Sequence, residues 1–176
     1  MKTTGVIRRI DELGRIVIPK EIRKNLRIKN GDSLEIFVEK EDVLLRKYSP
    51  IESLESVANR YVDIFNSVIK HNIIITDRDK VIAMAGNLKK DYIDKEISEF
   101  CERSIDRRDS FVERQKKNFE FVEGIVEYGY YSFASIINNG DALGAVIILS
   151  TDFPISEADE KQAVILSKIL SRYFVD

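Results

Sequence analysis

The sequence changes character at Tyr48-Ser49-Pro50. Upstream lie short β-branched segments and one brief helical pattern, and downstream begins a long apolar stripe of helical spacing. Proline pushes its preceding residue into extended backbone, so a strand can end here and a helix begin. The boundary leaves residues 1–50 as a separate head, and that size is the strongest constraint on the fold. The head contains no cysteine, and so few residues make a poor core alone. Its short strands would also leave open edges. A dimer that shares one core, with interleaved strands, is the economical solution.

Within the head, Gly5 to Ile10 and Arg15 to Ile18 read as strands flanking turn residues Asp11 to Gly14. Pro19 suits the first turn of a helix, where its missing N–H costs nothing. That helix runs to about Leu26, with Ile22 and Leu26 on one face. Asn30-Gly31 is a turn signal. Leu34, Ile36 and Val38 then alternate with Glu35, Phe37 and Glu39. A turn near Glu41-Asp42 leads into a last strand, Val43 to Tyr48.

Charge separates the two regions further. The whole chain is nearly balanced at −2, but residues 1–30 carry nine basic and three acidic side chains. Residues 31–50 carry three basic and five acidic groups, so the head is +4 and the body −6. Arg8, Arg9, Arg15, Arg23 and Lys24 are concentrated in the strand–strand–helix part. Guanidinium suits both phosphate and the O6/N7 edge of guanine. Composition alone leaves a solvated charged surface as the equal alternative.

The body, residues 51–176, opens with a helix from Ile51 to Lys70, with Ile51, Leu54, Ala58, Tyr61, Phe65 and Val68 on its apolar face. Asn72 to Thr76 and Lys80 to Ala85 form a hairpin around Asp77-Arg78-Asp79. Residues 92–108 read as helical. Phe119 to Glu127 and Tyr130 to Asn138 read as strands joined near Tyr128-Gly129. Asn139-Gly140-Asp141 turns into the buried strand Leu143 to Ser150. Ser156 to about Phe174 is a closing helix with Val164, Ile165, Ile169, Leu170 and Tyr173 on its apolar face. Helix, antiparallel sheet and helix make an α+β layered domain. The terminal helices can pack together and pair with a second copy.

Several classes are excluded. One cysteine permits no intrachain disulfide and no zinc site of several thiolates. Apolar runs such as Ala145 to Leu149 are too short to span a bilayer, and the start of the chain lacks a secretory apolar region. These features fit the cytoplasm and no membrane partner. Asp77-x-Asp79 lacks the glycine and distal glutamate of a calcium loop. His71 has no paired acid and nucleophile, so no catalytic set is assigned. Cys101 reads as a small half-buried apolar residue. No cofactor or metal site is assigned.

Residues 3–48, TTGVIRRIDELGRIVIPKEIRKNLRIKNGDSLEIFVEKEDVLLRKY, closely resemble the swapped-hairpin DNA-binding domain of the AbrB-type transition-state regulators. The core GRIVIPKEIRKNL carries the family's glycine–arginine, VIP and short-helix pattern. The resemblance implies a mostly-β swapped-hairpin, or looped-hinge helix, dimer bound to double-stranded DNA. It places the DNA contacts on Arg8, Arg9, Arg15, Arg23 and Lys24. Lys24 stands where close relatives often have arginine, and Arg27 where many have glycine. The stretch NGDALGAVIILS, residues 139–150, resembles the hairpin turn and central strand of a GAF domain. That likeness implies a regulatory and oligomerisation domain over 51–176, giving a homodimer through the heads and a homotetramer through the GAF-domain helices. It also allows an unidentified small-molecule effector. Met84 to Tyr92 and Phe100 to Phe111 are then candidate pocket walls, or simply a cover for the sheet. No cyclic-nucleotide motif or bilin-attachment context accompanies it.

The resulting expectation is a transcriptional regulator of sporulation genes, acting as activator or repressor on the nucleoid of the developing spore. Two rivals are an antitoxin-like DNA-binding protein, since the same head fold serves toxin neutralisation, and a GAF-type sensor or enzyme acting without direct DNA control.

Overall fold

The computed structural model describes residues 5–48, 55–88 and 92–173. Ser49-Pro50, Ile51, Leu54 and Phe174 lie outside them, as do residues 89–91 of one candidate pocket wall. The chain divides into two compact units, 1–48 and 49–176.

The first unit contains helix α1 (Lys20–Asn25) and the antiparallel pair β1 (Leu34–Glu39) and β2 (Asp42–Lys47). Pro19 occupies the N-cap. The helix ends in a Schellman arrangement, with the Arg27 N–H donating to the Lys24 carbonyl at 3.2 Å and the Ile28 N–H to the Arg23 carbonyl at 2.7 Å. Arg27 is the left-handed residue of that motif, at φ 51°. An arginine thus holds a backbone conformation that its side chain disfavours.

The strands expected at Gly5 to Ile10 and Arg15 to Ile18 do not form in one chain. Among the described residues these segments have no strand ladder. Their β-branched composition favours extended backbone, but a strand also needs a partner for its N–H and C=O groups. In the β1–β2 hairpin, Ile36 faces Leu45 and Val38 faces Val43 across the strands, and all four are exposed. The other face carries Arg46, stacked 5.0 Å over the Phe37 ring.

The second unit is a five-stranded antiparallel sheet covered on both faces. Its elements are α2 (Glu55–Ile69), β3 (Asn72–Thr76), β4 (Val81–Ala85), α3 (Glu99–Asp106), β5 (Ser110–Val122), β6 (Ile125–Asn138), β7 (Asp141–Ser150) and α4 (Glu157–Arg172). Strand order is β4-β3-β7-β6-β5. Period-two alternation sends Ile73, Ile75, Val146 and Ile148 to one face, where Ala58, Val62, Ala163, Leu166 and Leu170 of α2 and α4 meet them. Ile74, Ile147 and Leu149 go to the other, under Cys101 and Ile105 of α3. Both faces being covered explains the unbroken apolar run Ala145 to Leu149.

Several boundaries differ from the sequence reading. Only 99–106 of the expected helix 92–108 forms α3, started by the Ser98 hydroxyl accepting from the Cys101 N–H at 3.2 Å. Tyr128-Gly129 is not a turn but lies within β6, and the turn falls at Glu123-Gly124. Gly129 is required there because a Cβ would sit 2.2 Å from the Ser150 carbonyl oxygen on β7. β5 starts at Ser110, nine residues before the strand read from sequence. Its stretch Glu113 to Lys117 is polar because it lies on an edge strand. On the helices, Val68 and Ile165 turn outward, while Val62 and Leu166 take the buried positions. The terminal helices do meet, where the Tyr61 and Tyr173 hydroxyls share a hydrogen bond of 2.8 Å.

Candidate nucleic-acid interface

The basic residues of the head sit on a scaffold of two turns and one short helix. Arg8 and Arg9 are exposed on the segment before the first turn. Arg15 follows the first turn, and Arg23 and Lys24 lie on α1.

The turn from Asp11 to Arg15 is organised by one carboxylate. Asp11 Oδ1 accepts from the Leu13 N–H at 3.0 Å and the Arg15 N–H at 2.8 Å. Its Oδ2 accepts from Arg15 Nε at 2.8 Å. The backbone closes the same turn twice, through the Asp11 N–H to the Arg15 carbonyl at 3.0 Å and the Gly14 N–H to the Asp11 carbonyl at 2.9 Å. Gly14, at φ 75°, supplies the left-handed backbone this closure needs. The Arg15 backbone N–H, and after it the Arg15 guanidinium, hold the Asp11 carboxyl below its usual 3.8. It therefore stays ionised beside Arg15 through the neutral range.

Arg23 is less free than its neighbours. It is half-buried, its Nη1 donates to Asn30 Oδ1 at 3.3 Å, and its Nε is buried without a hydrogen-bond partner among the described residues. Lys24, one position on, is exposed. The loop after α1 is clamped by Asp32, which accepts from the Lys29 N–H at 2.8 Å and pairs with Lys47 Nζ at 3.3 Å. Lys47 Nζ also donates to the Arg27 carbonyl at 3.3 Å, so β2 is tied to the helix end.

The sequence reading gave Asp11, Asn30 and Lys47 no role beyond turn and strand. The Asp-x-x-Gly-Arg spacing of residues 11–15 was the available signal for Asp11. Nothing local in the sequence links Lys47 to Arg27, twenty positions away.

Apolar exposure surrounds this basic set. Ile7 is 89% exposed, Leu13 74% and Val17 72%. Pro19 is the one buried residue among those described in the head.

The second unit is net acidic, at −6 over residues 51–176. Its candidate pocket walls meet a filled aromatic layer. Phe111 stacks on Phe133 at 5.1 Å, Phe121 meets Tyr131 edge-on at 5.0 Å, and Met84, Tyr92, Cys101 and Ile105 are buried with the same layer. The described residues of these segments thus pack against the sheet. Cys101 is fully buried rather than half-buried, and burial pushes its thiol from 9.0 up to about 12.

Comparison with known proteins gives each unit a counterpart. Over 50 residues, 28% of this chain, the sequence is 54% identical to the transition state regulatory protein AbrB of Bacillus subtilis, covering 52% of that protein. Residues 7–53 also match the family described as antidote-toxin recognition MazE, bacterial antitoxin. The GAF domain of Acinetobacter phosphoenolpyruvate-protein phosphotransferase superposes with a TM-score of 0.55 at 16% identity, over 68% of this chain and 80% of that one. That likeness shows the fold of the body. An AbrB-type head followed by a GAF-fold body defines a two-domain transcription factor with an N-terminal DNA-binding domain. Residues 53–174 match the model for the stage V sporulation protein T C-terminal, transcription factor, and the whole chain is 47% identical to stage V sporulation protein T of Bacillus subtilis over 98% of each. The chain belongs to the stage V sporulation protein T family.

Proposed function

We propose that residues 1–50 bind double-stranded DNA as a homodimer of interleaved hairpins, and that residues 51–176 assemble and regulate these heads in control of sporulation genes. The observation that carries this reading is the coincidence, within some forty residues, of a basic set and an uncovered apolar set. A second copy covers the exposed apolar set with a shared core, and it doubles the cations. Arg8, Arg9, Arg15 and Lys24 then contact DNA from exposed positions. Arg23 contributes from a position fixed by Asn30. Phosphate pairing supplies most of the affinity, while base edges and DNA shape supply preference.

In the body, Ile64 and Val68 on α2 and Ile165 on α4 face outward and suit a second copy, which makes a tetramer of the dimer. An effector biases the arrangement of heads only if it binds two arrangements with different affinity. Such a ligand has to displace the aromatic layer or dock elsewhere. The setting that accompanies this function is the cytoplasm, on the nucleoid of the developing spore.

A mobility-shift titration tests the site. Arg15→Ala and Arg23→Ala are each expected to weaken DNA binding by roughly tenfold or more while the dimer persists. Binding should also fall steeply with salt. Wild-type affinity in both variants would sink the assignment. The match to the antitoxin family supports a second reading, toxin neutralisation, and stoichiometric copurification of a small toxin with the full chain would favour it.

A further inference from the structure

We infer that Asp11 is a positioning residue for DNA recognition, which aims the Arg15 guanidinium and so sets sequence selectivity rather than overall affinity. The inference rests on the DNA-binding reading of the head.

A carboxylate at a DNA-binding surface opposes phosphate, so its presence calls for a compensating role. An exposed ion pair contributes little to stability, and this one is open to solvent, with Arg15 71% exposed and Asp11 42%. What distinguishes it is geometry. One oxygen of Asp11 is fixed by two backbone N–H groups of its own turn, so the second oxygen is held on a rigid frame. That second oxygen takes Arg15 Nε.

Arginine can present either a side edge, Nε with one Nη, or an end edge, Nη1 with Nη2. Occupying Nε removes the side edge. Arg15 is left with the end-on fork, the pair of parallel donors that matches guanine O6 and N7. A phosphate accepts from a guanidinium in many orientations, whereas a base edge does not. Fixing one orientation therefore favours base discrimination more than phosphate attraction.

Asp11→Asn separates the roles. The amide oxygen still accepts from the Leu13 and Arg15 N–H groups, so the turn is kept. The amide nitrogen cannot accept from Arg15 Nε, and one negative charge is gone. The experiment uses the full chain. Wild-type protein first selects duplexes from a random pool. Fluorescence anisotropy then measures affinity for one selected duplex and its scrambled counterpart, with wild type, Asp11→Asn, Arg15→Ala and the double variant. Circular dichroism and sedimentation verify that each variant is folded and assembled as wild type.

Asp11→Asn is expected to reduce the selected-to-scrambled ratio by roughly tenfold. Affinity for the scrambled duplex should hold or rise. In the Arg15→Ala background the same change should leave the ratio unaltered. An unchanged ratio in Asp11→Asn overturns the inference, as does an equal loss on both duplexes or the same loss without Arg15. Wild-type binding with no sequence preference overturns it too while sparing the DNA-binding reading. No binding of any duplex by wild type overturns both.

Discussion

The head and the body solve the burial problem in opposite ways. Apart from Pro19, the buried apolar side chains described all belong to the body, from Ala58 to Leu170. In the head, Val6, Ile7, Ile10, Leu13, Ile16 and Val17 stand exposed in a run of a dozen residues. Both regions have the β-branched composition of sheet proteins. They differ in whether one chain contains the strands that complete the sheet. The body has five strands and helices on both faces. Among the described residues the head has one pair of strands, and its first eighteen positions add no strand ladder.

The largest expected effect breaks this contrast directly. Ile7→Asp would be nearly silent if the head were monomeric, since an 89% exposed side chain contributes little. With a shared core it abolishes the head dimer and DNA binding and leaves the body's melting unchanged. Sedimentation and mobility shift read both. Next, Phe133→Ala removes a side chain that is fully buried and stacked on Phe111. It is expected to cost about 3–5 kcal/mol, seen as a lowered urea midpoint, even for the body fragment alone.

A smaller effect probes dryness of the body's core. Cys101 keeps its proton to about 12 when folded, while the unfolded thiol releases it from about 9. The stabilisation is complete below pH 9 and is lost between pH 9 and 12, by about 1.4 kcal/mol per unit. Subtracting the pH profile of Cys101→Ala isolates that slope. A wild-type profile parallel to the variant's shows instead that water reaches the thiol. The smallest effect lies in the head. Arg27→Gly relieves a left-handed arginine and is expected to raise the unfolding free energy by about 1 kcal/mol, seen as a higher denaturation midpoint at fixed chain concentration.

Local chemistry was legible in the sequence wherever a residue acts on its own neighbours. Pro19 at the start of α1, the Asn139-Gly140 turn and the alternating Leu34 to Glu39 are all read from adjacent residues. The hairpin around Asp77 to Asp79 is equally local. Where a distant strand decides, the sequence misleads. Gly129 imitates a turn because the reason for it, the Ser150 carbonyl, lies twenty-one positions away. Val68 and Ile165 fit a helical stripe as well as Val62 and Leu166, since spacing shows that a face is apolar but not which of two apolar faces is inward. In the site, residue types were legible and their tethering only in part. Arginine at 15 and 23 signals anion binding. The Asp-x-x-Gly-Arg spacing hints at the hold of Asp11 on Arg15, whereas the hold of Asn30 on Arg23 emerges only from the fold.

The edge strand β5 has a consequence for how such molecules behave when crowded. Its far end is covered, by the Ser98 N–H donating to the Phe121 carbonyl and the Glu123 N–H to the Glu96 carbonyl, each at 2.9 Å. Its middle carries Glu113, Arg114, Lys116 and Lys117, and the register with β6 shifts between Glu113 and Lys117. An irregular, charged rim is a bad template for another strand. Proteins gathered along one stretch of DNA meet each other at high local density, where sticky sheet margins would fuse neighbours into filaments. The rim of β5 is a poor surface for such fusion.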